Sequence, residues 1–227
     1  VGGVDQSTAG DIAEFNFTLE DTDDTYLQFG DEESDFVDVM YVEVDDGDEP
    51  INIKVNTRLL GTDTAIENVY DTENTDEFQS EVHSPSGITI LPDGEPVGSA
   101  DNLPLYDNDG SSLGNNFEAY LDELDIIDAS TEGRYDQLIR PLQPTDYSVT
   151  AAGTTSVDDG IFDADPGGEA NDELGSKVLE LTTPEIGEIT VHKAPEEDAD
   201  DEDDVAGLVE KATPSSDIAI EDQTIIQ

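Results

Sequence analysis

The sequence predicts an all-β protein, mainly antiparallel, in which two sheets pack as a sandwich with one or two short inserted helices. Three observations support this fold class. The first third of the chain alternates apolar and polar residues, clusters of Asp, Gly and Thr separate the alternating segments, and helical periodicity is confined to short stretches. Several short strands at such spacing, separated by turn signals, are typical of antiparallel sandwiches.

Four segments of the first third are predicted strands. Residues 13–19 (AEFNFTL) place apolar side chains at every second position, and 51–57 (INIKVNT) do the same. In 25–30 (TYLQFG), Leu27 and Phe29 alternate against Tyr26 and Gln28, which predicts one apolar and one polar face. Residues 35–44 (DFVDVMYVEV) form a longer strand that can accommodate a bulge. DTDD and DDGD supply the intervening turns.

The rest of the chain is less regular. Residues 85–116 are rich in Gly, Pro, Ser, Asp and Asn and predict a long loop, with a short strand at GITIL. Residues 115–127 predict a helix, because their large apolar side chains recur at i, i+3, i+4 and i+7. The remaining predictions are strands at 145–153, 176–182, 187–194 and 217–227, a loop-like insertion at 154–175 and a short helix at 204–212.

Charge is the dominant compositional feature. The 59 acidic residues face only 7 basic ones, so the net charge is −52. Leu, Ile, Val and Phe nevertheless make up 55 of 227 residues, which is enough to form a small hydrophobic core. Multimolar salt shortens the Debye length to about 3 Å and leaves only near neighbours repelling one another. We therefore expect a folded halophilic protein, for which nucleic acid and anionic membranes are poor partners.

The most acidic stretch is a solvated loop on this interpretation. Eight carboxylates occupy the nine residues 196–204.

Cysteine is absent from the sequence, so disulfides and thiol chemistry contribute nothing. No apolar run approaches the length of a membrane span. The opening VGGVDQSTAG reads as a mature N-terminus left by processing.

Catalytic motifs are not found in the sequence. His83 and His192 are far apart in the sequence, and there is no cysteine. The chain therefore lacks the combination of Cys and His ligands that is typical of a zinc site. We expect His192 to be a surface residue. Carboxylates are too abundant for a pair of them to indicate a glycosidase. No Gly-x-Ser-x-Gly elbow and no phosphate-binding glycine loop occurs. The sequence therefore predicts a protein that is not an enzyme.

Two acidic turns are candidate cation sites, because hard cations prefer several oxygen ligands in flexible loops. Asp107 and Asp109 precede Gly110 in one turn, and Asp45, Asp46 and Asp48 lie in the other. Neither turn completes the EF-hand spacing, and an ordinary acidic turn is the alternative for each. No cofactor is expected to be required, and loose binding of calcium or of monovalent cations remains a hypothesis.

Two further surface features are singled out. Asn16 begins the triplet Asn-Phe-Thr, an acceptor for N-glycosylation outside the cell, and it falls on the polar face of its strand. Both ends of the chain carry apolar residues, and an unpaired strand at an edge seeks a partner. We therefore predict head-to-tail self-assembly into a homopolymer through the terminal residues Val1, Val4, Ile218, Ile220, Ile225 and Ile226.

Five segments together resemble the modules of haloarchaeal cell-surface and S-layer-type glycoproteins. They are GDIAEFNFTLEDTDDTYLQFG (10–30), VEVDDGDEPINIKVNT (42–57), LQPTDYSVTAAG (142–153), GEITVHKAP (187–195) and SSDIAIEDQTIIQ (215–227). Each motif is short, and their shared order along the chain carries the resemblance. The resemblance implies an extracellular β-sandwich with a structural role in a lattice or coat, and it implies no catalytic residues.

We therefore expect a single Ig-like β-sandwich module over 1–227. It carries a loop and helix insertion at about 85–135, the acidic loop 196–204, and a short helix and C-terminal strand within 205–227. The expected function is that of a non-enzymatic extracellular subunit of a halophilic surface layer or filament. The alternative from another class is a secreted adhesion module that binds carbohydrate or divalent cations. A secreted hydrolase is the third option and has little support.

Overall fold

The chain forms two compact units in the computed structural model, Val1–Pro184 and Glu185–Gln227. The described residues are 4–20, 22–44, 50–84, 87–88, 105–114, 116–138, 142–153, 162–164, 169–170, 173–185, 192–195, 207, 212–214 and 223–226. The sequence analysis finds no boundary within a single module, whereas the structure separates the chain after Pro184.

The first unit consists mainly of strands. They are β1 (Val4–Thr8), β2 (Ile12–Phe17), β3 (Asp24–Asp31), β4 (Phe36–Glu43), β5 (Ile51–Asn56), β6 (Tyr70–Glu73), β7 (Glu77–Ser80), β8 (Leu105–Tyr106), β9 (Ser112–Gly114), β10 (Asp146–Ala152), β11 (Phe162–Asp163), β12 (Glu169–Ala170) and β13 (Glu173–Thr182). The helices α1 (Ile66–Val69) and α2 (Phe117–Glu123) and the 3-10 turn Glu32–Ser34 complete the described elements.

Two of the sheets form the sandwich. The larger sheet has the order β1-β13-β10-β3-β4-β7, and the smaller has the order β2-β5-β6. β1 runs parallel to β13, whereas the other pairs in both sheets are antiparallel. The prediction of an all-β, mainly antiparallel sandwich with short helices is confirmed.

The first core lies between these two sheets and follows from the alternation in the sequence. β5 alternates buried and half-buried residues, and β2 buries Ala13 and Phe15 while Glu14 and Asn16 are exposed. Inward-facing residues of the larger sheet complete the cluster, among them Leu27, Phe29, Met40, Val42, Tyr147, Val149, Leu179 and Leu181. Burial of this apolar surface is the main favourable contribution to folding.

A second core covers the opposite face of the larger sheet. α2 and the short strands β8, β9, β11 and β12, in the order β12-β11-β8-β9, supply its outer layer. Tyr26 and Gln28, predicted on a polar face, are 0 % and 2 % exposed because this layer packs over them. The prediction of a polar face at Tyr26 and Gln28 is therefore wrong. A bulge in β4 is not found either, since the register of β4 with β3 is regular. The long apolar run of β4 exists because both faces of the strand are buried.

The helix predicted at 115–127 is confirmed as the shorter α2. Asn116 caps it by accepting a hydrogen bond from the main-chain N–H of Ala119 at 3.1 Å. All four residues of the predicted apolar face are buried: Phe117, Tyr120, Leu121 and Leu124. The predicted loops at 85–116 and 154–175 hold β8, β9, β11, β12 and the start of β13, which sequence periodicity misses because most of these strands have two or three residues.

The second unit contains β14 (His192–Pro195), β15 (Thr213–Pro214) and β16 (Gln223–Ile226) in the antiparallel order β15-β14-β16. β14 overlaps the strand predicted at 187–194 and extends one residue beyond it, and β16 falls within the strand predicted at 217–227. The acidic loop 196–204 lies outside the described residues, and so does the helix predicted at 204–212 except for Gly207, whose backbone is helical, and Ala212. Across the described residues, no helix has both the length and the apolar character needed to cross a bilayer.

Candidate functional site

Strand β2 has a strand partner on one side only among the described residues. It pairs with β5 over its whole length, from Ile12 opposite Asn56 to Phe17 opposite Ile51. On its other side, the hydroxyl of Ser7 donates to the carbonyl of Ile12 at 3.2 Å, which engages the first residue of the strand. Within the described part of the chain, the side of the strand over residues 13–17 is therefore an edge with no strand beside it.

A cleft with a volume of about 580 Å³ opens beside this edge and is called the β2 cleft below. Residues 15–20 and Thr22 line one side of it. Leu27 of β3, Val149 and Ala151 of β10, and residues 174–177 of β13 line the other. The β2 cleft thus lies where the two sheets of the sandwich meet at an open end.

The cleft exists because the larger sheet presents small side chains there. Leu179 and Leu181 face the core, so strand alternation places Lys177 and Gly175 on the same face of β13. Gly175 lies opposite Ala151 in the register of β13 and β10. These two residues are too small to reach the facing sheet, and the apolar filling of the core ends at this position.

A β-bulge shapes the rim of the cleft. The register shifts after Ala151, so that Ala152 lies opposite Glu173 and Leu174 has no partner in β10. Bulges re-aim side chains at the borders of sheets. Leu174 lines the cleft and is 56 % exposed, a large value for a leucine.

The β2 cleft is nearly neutral on a strongly acidic protein. Acidic residues number 59 of 227, so fourteen lining residues would on average carry three or four carboxylates. The lining instead holds one, Glu20, together with the cation Lys177. Lys177 is engaged by Asp5 of β1 at 2.5 Å. Because the lining carries fewer carboxylates than this composition would give on average, an acidic partner meets less repulsion in the cleft than over the rest of the surface.

The structure describes one of the two acidic turns. Asp107 stands in the turn between β8 and β9, where its Oδ1 accepts from the main-chain N–H groups of Asp109 at 3.0 Å and Ser111 at 2.7 Å. This is the geometry of a hydrogen-bonded Asx turn. Asp45, Asp46 and Asp48 lie outside the described residues. Within the described ranges, no group of three or more acidic or histidine side chains could hold a metal ion.

The predicted assembly and modification residues occupy edges where they are described. Val4 lies in β1, at one edge of the larger sheet, and Ile225 and Ile226 lie in β16, at an edge of the second unit's sheet. Both strands pair within their own chain, β1 with β13 and β16 with β14. Asn16 is exposed on β2 and lines the cleft. Val1, Ile218 and Ile220 lie outside the described residues.

A buried carboxylate, Asp38 of β4, organises the interior near β7. Its Oδ2 accepts from the hydroxyls of Tyr70 at 2.8 Å and Ser80 at 2.6 Å, and its Oδ1 accepts from the main-chain N–H of Val82 at 3.1 Å. Asp38 is completely buried, and burial raises its pKa above the ordinary value. The carboxylate ties β4 to β6 and to the segment after β7.

His83 stands beside this carboxylate cluster with both ring nitrogens hydrogen-bonded. Its Nε2 accepts from the main-chain N–H of Gly61 at 3.1 Å, and its Nδ1 then donates to the carbonyl of Thr64 at 2.9 Å. Both ring nitrogens are occupied and the ring is 3 % exposed. Neither nitrogen is free to take the proton of Ser80, so Asp38, Ser80 and His83 do not form a nucleophilic triad. His192 lies in β14, and its side chain is outside the described part.

Arg134 links the loop after α2 to the segment after β7. Its guanidinium donates two hydrogen bonds to the carboxylate of Glu118, from Nε at 2.7 Å and from Nη2 at 3.2 Å, and lies 3.3 Å from Glu81 Oε2. It also donates to the main-chain carbonyl of Glu81 and stacks over Phe117 at 5.6 Å. Burial raises the pKa of Glu81 to about 7 despite the attraction of Arg134. The ion cluster thus fixes the outer layer to the larger sheet.

The hydroxyl of Tyr26 provides a contrast to that of Tyr70. It is buried and has no hydrogen-bond partner among the described residues. We expect Tyr26→Phe to leave the thermal midpoint unchanged or to raise it, because an unsatisfied polar group is removed. Tyr70→Phe should cost about 1–2 kcal/mol, because Asp38 loses a donor. Calorimetry of both variants measures the difference, and an equal loss in the two would contradict it.

The sequence predicts edge contacts through the terminal residues, but the β2 cleft and the buried ions were not predicted from it. A usable signal existed for Asp38, which interrupts an otherwise apolar run in β4. No comparable signal marks Glu81, Arg134 or Gly175. In the comparisons with known proteins, residues 2–95 match a family described as a domain of unknown function (DUF7827). No curated protein and no solved structure matches the chain.

Proposed function

We propose that the chain is a non-enzymatic, extracellular structural subunit of a haloarchaeal surface assembly, either a lattice or a filament. The observation that carries the proposal is the edge of β2, which has no strand beside it among the described residues and borders a neutral cleft. An edge of this kind is a template for pairing with another chain. The self-assembled homopolymer is built through such contacts between sheet edges or terminal strands.

Charge supports the same proposal in a second way. Two copies of a −52 protein repel each other strongly in dilute buffer, whereas multimolar salt confines that repulsion to near neighbours. Edge strands of both sandwich sheets carry carboxylates: Glu14 on β2, Asp71 and Glu73 on β6, and Glu77 on β7. Pairing between such edges therefore requires that salt screen their repulsion. The extracellular location follows from the resemblance to surface-glycoprotein modules.

Electron microscopy of the purified protein tests the proposal. We expect fibres or sheets in multimolar salt and dispersed particles after dialysis into dilute buffer, because the Debye length lengthens from about 3 Å to about 10 Å between 1 M and 0.1 M salt. A chain that remains monomeric at every salt and protein concentration would refute self-assembly.

Deletion of residues 1–10 or of 218–227 tests the terminal residues. Each deletion removes an edge strand, β1 or β16, so we expect at least one of them to abolish assembly in multimolar salt. Circular dichroism must first show that the truncated chains retain strand structure. Assembly that persists in both truncations would exclude exchange of the termini while leaving other edge contacts in place.

A further inference from the structure

The unpaired side of β2 defines the kind of ligand that suits the β2 cleft. An exposed strand edge offers alternating N–H and C=O groups, and an extended peptide satisfies them as a regular ladder. Residues 13–17 span about 17 Å at 3.4 Å per residue, enough to pair with a strand of five residues. The backbone of β2 therefore favours a β-strand over a small molecule.

The floor of the cleft is shaped to receive side chains from such a strand. A strand beside β2 would continue the smaller sheet and cover the larger one at Ala151 and Gly175. A Cβ atom added at Gly175 would meet no heavy atom within 4 Å, so the space above this residue is open. Apolar side chains at alternate positions of the added strand would enter this space beside Phe15, Phe17 and Leu27.

The charge of the cleft identifies the source of the strand. A basic partner would be drawn to the many carboxylates elsewhere on the surface, whereas this lining carries one carboxylate and one lysine. An acidic chain finds here a surface that does not repel it. A second copy of the same chain is such a partner, and this step rests on the self-assembly proposed above.

We propose that the β2 cleft is the acceptor site for a β-strand of a second copy, which pairs with β2 and inserts alternate apolar side chains over Ala151 and Gly175. Filling the cleft in this way buries Leu174 and extends the smaller sheet from three strands to four. Each subunit then accepts one strand and gives one, which generates an open head-to-tail polymer.

Gly175→Trp tests the acceptor site by occupying it. A Cβ atom at this position has no heavy atom within 4 Å, and Gly175 does not have a positive φ, so the backbone accepts a side chain that extends into the cleft. We expect the protein concentration needed for assembly in multimolar salt to rise at least tenfold, while the thermal midpoint of the monomer stays the same or rises. Gly133→Trp is the matched control, because a Cβ there meets only Asp136 Oδ2 at 3.8 Å and Gly133 lies outside the cleft. It should assemble like the wild type.

A second measurement does not depend on how well the tryptophan variant folds. The chain lacks cysteine, so Leu174→Cys and Tyr135→Cys each introduce a single thiol at an exposed position, 56 % and 39 % exposed respectively. We expect the maleimide reaction of Leu174→Cys to slow at least tenfold when monomers assemble, and that of Tyr135→Cys to change little.

The outcomes separate the two proposals. If the wild type assembles but Leu174→Cys reacts as fast in the assembly as in the monomer, the cleft is not the acceptor, although self-assembly stands. If Leu174→Cys is already protected in the monomer, the chain's own residues fill the cleft and the inference fails. If the wild type never assembles, the proposed function and the acceptor site are both overturned.

Discussion

Replacing Asp38 with alanine will lower the free energy of unfolding by about 3 kcal/mol, because the hydroxyls of Tyr70 and Ser80 lose their acceptor in a buried site. The N–H of Val82 also loses one of its two acceptors and keeps the other, Ser80 Oγ, at 3.1 Å. Each unsatisfied buried group costs about 1–3 kcal/mol, and relief of the buried charge offsets part of the sum. Chemical denaturation at fixed salt measures the change.

Two further substitutions show whether the loss comes from the hydrogen bonds. Asp38→Asn keeps one acceptor oxygen at the same place and should cost less than the alanine variant. Asp63→Ala removes an exposed aspartate from the same unit and should change the free energy of unfolding by less than about 0.5 kcal/mol. A loss below about 1 kcal/mol for Asp38→Ala would mean that the three donors find other partners, and the proposed role of Asp38 would be wrong.

The second large effect is a pH dependence that Glu81 imposes on stability. Burial raises the pKa of Glu81 from 4.5 to about 7 in the folded protein, so the folded state binds more protons than the unfolded state between these values. The free energy of unfolding therefore carries a favourable contribution from Glu81 below pH 4.5, and this contribution is lost as the pH rises through 7. Its size is about 3 kcal/mol, at about 1.4 kcal/mol for each pH unit.

Glu81→Gln removes this titration and isolates it from the other carboxylates. The stability of the variant relative to the wild type should rise by up to about 3 kcal/mol from pH 4.5 to pH 8. Glu67→Gln, the same substitution at an exposed position, should leave the difference between variant and wild type nearly flat. Denaturation at several pH values in the same multimolar salt measures both, and parallel profiles for wild type and Glu81→Gln would contradict the prediction.

The ion cluster around Glu81 is a useful control for assembly, because it fixes the outer layer and does not line the β2 cleft. Arg134 and Glu118 belong to the loop after α2 and to α2, and neither lines the β2 cleft. Loss of Glu81 should therefore change stability without changing the concentration at which copies associate. Gly175→Trp should have the opposite pattern. The two variants thus separate the interior of the unit from its proposed acceptor surface.

Local sequence pattern predicted the strands β2 to β5 and the apolar face of α2, but not β1 or β6. Alternation in β2 and β5 and the i, i+3, i+4, i+7 pattern of α2 are properties of neighbouring residues, which the backbone geometry converts directly into buried and exposed faces. The same reasoning failed for Tyr26 and Gln28. Periodicity alone cannot show that a second layer, formed by residues more than 70 positions later in the chain, packs over their face.

The sequence by itself determined the alternation that makes this chain a sandwich and the net charge of −52, from which we expect a dependence on salt. Only the tertiary structure decided which side chains meet. Asp38 reaches Ser80 across 42 positions and Glu81 reaches Arg134 across 53, while the β2 cleft depends on Gly175 lying opposite Ala151. Such pairs arise from the register and packing of distant strands, and composition or local spacing carries no record of them.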